Sequence, residues 1–370
     1  LGNDGGMYES RDRGETFRFV GTLPVAQYYH VAVDGETPYN VYGGLQDNNS
    51  WRGPSSVWQR GGIRMHHWKA VGGGDGFETL PDPQDPTKGY SLSQGGNLMR
   101  WDVVTGERRD AKPQAPAGTK LRFNWNAALA VDPFDPATVY LGSQFVHRSK
   151  DRGETWETVS PDLTTNNPEW QKQEKSGGIT LDVTAAENYT TLVTIAPSPV
   201  AKGTLWAGSD DGRIHVTRDA GATWASVEKA LPAGAPKNAH VAAIEPSRHD
   251  AATAFAVLDD HRWGDFAPYV YRTDDFGKTW RSLVTPAVKG YALAIVQDPV
   301  KKELLFLGTE TGLYASLDGG KAWIPLRKAI PTASVMDLVI HPKEGDLVIA
   351  THGRALWVLD DLTPFREMTE

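Results

Sequence analysis

The sequence predicts an all-β chain: a β-propeller of four-stranded antiparallel blades, seven of them, with eight as the alternative count. Three observations carry this. An eight-residue pattern recurs five times, a longer strand–turn–strand unit recurs seven times, and the composition suits many tight turns between short strands. The chain has 370 residues with 38 Gly, 24 Pro and 13 Trp. Gly and Pro at that density mark turns, and large aromatic residues fit pleated, half-buried surfaces. Hydrophobic residues make up 39% and charged residues 23%, so a packed core is expected rather than disorder.

The short pattern reads Ser/Thr-x-Asp-x-Gly-x-Thr/Ala-aromatic. Its copies are SRDRGETF (10–17), SKDRGETW (149–156), TRDAGATW (217–224), TDDFGKTW (273–280) and SLDGGKAW (316–323). The last three aspartates are spaced by 56 and 43 residues, about one blade each. The pattern is a hairpin turn. Gly supplies a backbone with φ > 0, Asp accepts hydrogen bonds from turn amides, and the aromatic opens the next strand with its ring between blades. Asp12, Asp151, Asp219, Asp275 and Asp318 are therefore structural and are left out of any site.

The longer unit is an apolar strand, an Asp/Pro-type turn and a second strand ending in a small residue and a polar pair. Copies begin near residues 30, 77, 127, 193, 241, 293 and 338. Each supplies strands A and B of a blade, and the eight-residue turn joins C to D. Residues 1–20 look like the tail of a blade without its first strand. That piece closes the ring or belongs to a preceding domain, residues 21–370 form the propeller, and 161–188 is an inserted flap between blades. Trp170 with Glu169, Lys172, Glu174 and Lys175 suggests that the flap is ordered.

At these residues the chain resembles the BNR-repeat superfamily, whose turns are called Asp boxes. That superfamily includes sialidases, two-propeller xyloglucan-cleaving glycosidases and the propeller of sortilin. The phrases GGLQDNNSWRGP (43–54), VGGGDGF (71–77), LRFNWN (121–126), SPDLTTNN (160–167) and THGRALWVLDD (351–361) are similar to those of bacterial exported proteins labelled sortilin-like or "glycosyl hydrolase, BNR repeat". The resemblance implies the fold and an extracytoplasmic or secreted location. It carries function poorly, because one scaffold hosts many activities. The chain also departs from its models. No Arg-Ile-Pro segment of the sialidase type is present, Arg213 and Ile214 being followed by His215. There is no cysteine for the Cys-rich module of a sortilin receptor. The two-propeller glycosidases place their acids in a cleft between propellers, of which one propeller holds half.

In a propeller of this strand order the A–B and C–D turns share one face, which leaves the B–C and D–A connections free for a ligand on the other. Strand B ends put a polar ring there: Asp47, Gln94, Gln144, Asp210, Asp259, Glu310 and His352, with Asp4 if the N-terminal piece joins. The ring reads either as a ligand mouth or as a solvated channel. Three places stand out. Gln46, Asp47, Asn48, Trp51 and Arg52 lie in one B–C connection. Gly72 to Phe77, with Asp75, form a D–A connection whose glycines permit close backbone approach. Asp259, Asp260, His261, Arg262, Trp263, Gly264 and Asp265 form a long B–C loop. Trp125 is placed to join them, and Arg354 either grips a carboxylate or pins ring closure. The catalytic candidates are Asp47, Asp75, Asp259 and Asp260, with Asp265 beside them.

Two functions follow: a glycan- or peptide-binding propeller of a longer protein, or a glycoside hydrolase using two carboxylates on this face. The expected partners are a neutral glycan or a peptide, or other domains of the same longer chain. A formal net charge of −8 disfavours nucleic acid, and no apolar run reaches the ~18 residues of a membrane span. No cofactor and no metal set are expected. His66 and His67 are read as strand neighbours pointing to opposite faces, hence poor joint ligands.

Overall fold

The computed structural model describes residues 1–3, 5–115, 118–172, 188–328 and 330–368. Asp4, Glu174 and Lys175 lie outside the described residues, as does most of the 161–188 insertion. Among the described residues the chain is all-β, with the five-residue Thr363–Glu367 as the longest helix. Seven antiparallel sheets follow one another as blades, and six of them have four strands in chain order. Blade 1 is Tyr28–Val33, Asn40–Leu45, Ser50–Pro54 and Lys69–Gly72. The A strands of blades 2 to 7 are Thr79–Asp82, Leu129–Val131, Leu192–Pro197, His240–Pro246, Ala292–Gln297 and Ser334–Ile340. All seven coincide with the repeat units read from sequence. Blade 7 has three strands.

The ring closes between blades 7 and 1. Val348 and Ala350 pack with Val31, Val41 and Leu45. Tyr39 stacks on His341 at 4.3 Å and donates to Asp346. An isolated bridge links Gln27 to His352. The B strands carry the core. Asn40–Leu45, Ala254–Asp259 and Leu305–Thr309 are buried at every position, because both of their faces are covered by neighbouring blades. An eighth, three-stranded sheet is formed by Gly2–Asn3, Gly6–Glu9 and Arg18–Phe19, with Met7, Phe17 and Phe19 exposed.

The four later copies of the short motif are the C–D turns of blades 3 to 6. In blade 3, Ser149 Oγ donates to Asp151 at 2.7 Å and accepts from Gly153 N at 2.7 Å, while Asp151 Oδ1 accepts from Thr155 N at 2.8 Å. These bonds, led by that from the Thr155 hydroxyl, hold the Asp151 carboxyl down at about 2. The residue before Gly is also left-handed (Arg152, φ 61°; Gly153, φ 89°), the sign pattern of a type I′ hairpin turn. Each motif Trp then donates its indole N–H to the preceding blade: Trp156 to Ala111, Trp224 to Val159, Trp280 to Val227 and Trp323 to Leu283, at 2.8–3.2 Å. Trp280 and Trp323 are buried, whereas Trp156 and Trp224 are half-buried. Phe17, the aromatic of the first copy, has no N–H to donate and is exposed.

One local reading is corrected. His66 and His67 lie not in a strand but in the 3₁₀ turn Met65–His67, where their rings sit side by side with centroids 4.0 Å apart. The short turn removes the alternation that would have separated them.

Candidate functional site

The B–C turn of blade 1 is a tight reversal in which Asp47 (φ 57°) and Asn49 (φ 68°) are both left-handed. The 73–76 connection crosses over it. Asn49 N donates to Gly74 O and Gly76 N to Leu45 O, each at 2.9 Å. A Cβ on Gly76 would lie 2.4 Å from the Asn49 carbonyl oxygen. The glycines of this connection thus admit the chain's own backbone rather than a ligand.

This crossing seats Asp75. Its side chain is buried, and its Oδ1 accepts from Asp47 N at 2.7 Å and Gln46 Nε2 at 3.0 Å. Burial pushes its carboxyl up, the Asp47 amide opposes that, and the adjacent Asp47 carboxylate adds to the rise. Asp47 itself is exposed. Gln46 Oε1 accepts the Tyr29 hydroxyl. Tyr29 is the extra residue of a β-bulge between Tyr28 and His30, a device that re-aims a side chain at the end of a strand. Burial, then Asp75 and Asp47, push Tyr29 up to about 12, while Arg262 pulls the other way. Arg262 belongs to blade 5, so its loop reaches toward the blade 1 cluster. His352 stands edge-on to Tyr29 at 5.8 Å.

The blade 5 loop forms an aromatic wall. Asp259 is buried and receives His261 Nδ1 at 2.7 Å; His261 stacks on Tyr291 at 4.2 Å, and Phe266 packs on Tyr291 at 6.1 Å. Trp263 and Phe266 remain 65% and 57% exposed, a large apolar area for a surface loop. The Trp263 side chain reaches the Tyr189 hydroxyl, and Tyr189 pairs with Trp170 at 5.8 Å. Asp260 lies beside them; burial, with Asp265 and Asp259, pushes its carboxyl up. Asp265 is held down by Ala267 N and the Tyr269 hydroxyl. His240, pushed down to about 3 by burial with Arg262 and His261, stays neutral.

Other candidates serve the scaffold. Asp210 accepts from Thr191 N at 2.9 Å and Asn124 Nδ2 at 3.0 Å. Burial pushes it up to about 7, with Asp211 adding and its donors opposing. Gln144 is buried and bonds Arg122 N and Lys120 O. Trp125 packs edge-on to Phe77 at 6.4 Å. Trp51 donates to Asn48 O and packs into the blade 7–1 core. Arg52 leaves the site. It lies in strand C and binds Tyr42 Oη at 2.8 Å and Glu36 of the A–B turn at 3.3 Å, because that strand runs toward the opposite face. Asn48 caps Gln46 O, and Glu310 acts on Tyr291. Arg354 is exposed and makes no ion pair among the described residues.

The structure therefore brings Gln46, Asp47 and Asp75 together and ranges Asp259, Asp260 and Trp263 along a wall. Tyr29, Tyr189, Phe266 and Tyr291 were not singled out from the sequence. A tyrosine in an apolar strand looks like core, and only the bulge turns Tyr29 to the mouth.

No protein-family model matches the chain. It is 24% identical, over 96% of its length, to a probable oligoxyloglucan-reducing end-specific xyloglucanase of Neosartorya fischeri, and spans 49% of that protein. Over 28% of its length it is 35% identical to vacuolar protein sorting/targeting protein 10 of Laccaria bicolor, spanning 6% of it. Among solved structures it superposes on the GH74 xyloglucanase of Xanthomonas campestris with a TM-score of 0.64 at 20% identity, covering 96% of this chain and 54% of that one. The shared feature is the propeller fold. The chain spans about half the length, or less, of these curated relatives. No helix among the described residues is long and apolar enough to cross a membrane.

Proposed function

We propose that this chain is one propeller of an extracytoplasmic glycoside hydrolase with Asp-box repeats, acting on a neutral β-glycan of the kind named in its xyloglucanase relatives. The observation that carries the reading is one mouth holding both an exposed carboxylate backed by a buried acid, Asp47 on Asp75, and an exposed aromatic wall, Trp263 and Phe266. Aromatic faces stack on the C–H faces of sugars while carboxylates pair with hydroxyls. Asp47 meets the substrate. Asp75 is a positioning residue: its buried carboxyl holds the turn through the Asp47 amide.

One observation favours a second reading, in which the face only binds. Asp47 and Asp75 lie against each other, whereas the two carboxyls of a glycosidase stand about 5–5.5 Å apart (retaining) or 6.5–9.5 Å apart (inverting) with the glycosidic bond between them. In the hydrolase reading the second acid is Asp260, across the mouth, or a residue of another domain of the longer protein. Residues 1–20 then serve as a partial blade at that junction. Assays of Asp47→Asn, Asp260→Asn and Trp263→Ala against neutral polysaccharides separate the readings. Lost turnover with retained binding in Asp47→Asn supports the hydrolase. Binding lost in Trp263→Ala, with no turnover in the parent, supports recognition alone.

A further inference from the structure

Below the mouth, the first two blades and the last place ligating side chains at one point of the central channel. His30 comes from strand A of blade 1, Glu78 from the entry to blade 2 and Asp337 from strand A of blade 7. His30 Nδ1 stands 3.2 Å from Glu78 Oε1 and 3.4 Å from Asp337 Oδ2, and the three ligating atoms lie within 4.8 Å of one another. We propose that His30, Glu78 and Asp337 form a structural site for a divalent cation of the Zn²⁺ class, which ties the ring shut between its first, second and last blades.

The spacing supports this. Charge-assisted N–H···O bonds run about 2.7–2.9 Å, shorter than either contact. Around a tetrahedral Zn²⁺ with bonds of about 2.0–2.2 Å, neighbouring ligand atoms stand about 3.3–3.6 Å apart; the 3.4 Å contact lies in that range and the 3.2 Å contact just below it. One imidazole and two carboxylates suit a borderline to hard cation. The surrounding contacts are those of a ligand set. His30 Nε2 faces the Asn126 side chain at 2.8–3.1 Å, which leaves Nδ1 for the cation. Asp337 is held by Val31 N and Leu338 N at 3.0 and 2.8 Å. The half-buried Glu78 carboxylate has no other side-chain or amide hydrogen-bond donor among the described residues. The position has a purpose as well. The indole bonds of the motif Trp residues join blades 2 to 6, so the junctions 6–7, 7–1 and 1–2 lack them, and this cluster spans the last two.

The test uses the full chain after chelator treatment, in a His66→Ala/His67→Ala background that removes the exposed imidazole pair. Co²⁺ is titrated while its visible absorption is recorded, and Zn²⁺ binding is followed by calorimetry and thermal melting. One equivalent should bind, with a tetrahedral-type Co²⁺ band and a raised melting temperature. Glu78→Gln, which keeps the side-chain volume, should weaken Co²⁺ binding at least 30-fold and abolish the band while the metal-free chain stays folded by circular dichroism. No metal-dependent band or melting shift in the parent background overturns the proposal. So does binding that Glu78→Gln leaves unchanged. Should that variant unfold, Asp337→Asn supplies the same comparison.

Discussion

The indole nitrogen of Trp323 donates a hydrogen bond to the carbonyl oxygen of Leu283, 2.8 Å away and one blade earlier in the chain. The same bond recurs at Trp156, Trp224 and Trp280. It accounts for the motif's final aromatic as a joint between blades, which a turn alone would not need.

Removing that joint should cost most where it is enclosed. Trp280→Ala or Trp323→Ala should lower stability by about 3–5 kcal/mol through the cavity and the lost bond. Trp156→Ala and Trp224→Ala should cost about 1–3 kcal/mol, since both rings are only partly buried. Urea unfolding of the four variants measures the difference, and equal losses at all four sites would contradict it.

A second joint closes the base of blades 6 and 7. Arg366, in the C-terminal helix, holds Asp298 through Nε and Nη2 at 3.0 and 2.8 Å, and the Asp298 side chain is fully enclosed. Arg366→Met leaves that carboxylate without its cation and should cost about 3–5 kcal/mol. The double variant Arg366→Met/Asp298→Asn should recover part of the loss. Additive losses in that double variant would show that the pair is not coupled.

Acid should loosen the chain in part through one buried histidine. Burial pushes His147 down to about 4, and its neighbours are the hydroxyls of Ser143 and Thr158 and the rings of Phe123 and Phe145. A histidine whose folded pKa is depressed contributes stability that is complete above about 6.5. That contribution is lost as pH falls toward about 4, and amounts to about 3 kcal/mol. Melting temperature measured from pH 7 to 4 should fall less steeply in His147→Gln than in the parent. Parallel curves would place the acid sensitivity elsewhere.

At the mouth, Asp75→Ala should act through Asp47. Losing the acceptor for the Asp47 amide and the Gln46 side chain frees the turn, so glycan affinity should fall several-fold while the aromatic wall remains. Trp263→Ala should reduce binding by 10-fold or more, at about 1–3 kcal/mol for a lost stacking surface. Affinity electrophoresis in neutral polysaccharide gels reads both. Undiminished retardation in Trp263→Ala would remove the wall from the site.

The scaffold was legible because its signals are short-range. Ser149 to Trp156 fold on themselves, and strand A of every blade is marked by its own Asp/Pro turn. The site was legible only where a loop announced itself, as at Gln46–Asn49 and Asp259–Asp265. Arg52 was misplaced because two residues of strand lie between it and the turn, enough to change its face. Tyr29, Tyr189 and Tyr291 were missed because their meaning depends on residues from other blades. Pairings such as Tyr29 with His352 have no footprint in local sequence.

The indole joints run in one direction only, each blade gripping its predecessor, and they stop at blades 7, 1 and 2. The ring thus carries these joints along one arc and closes by other contacts along the other, like a bracelet with a hinge side and a catch. Thermal strain should gather at the catch, so amides of strands Tyr28–Val33 and Ser334–Ile340 should exchange with solvent sooner than their counterparts in blades 4 and 5. The Asp47 turn sits on the second arc and the Trp263 wall on the first. Any opening of that seam would change the width of the gap between them.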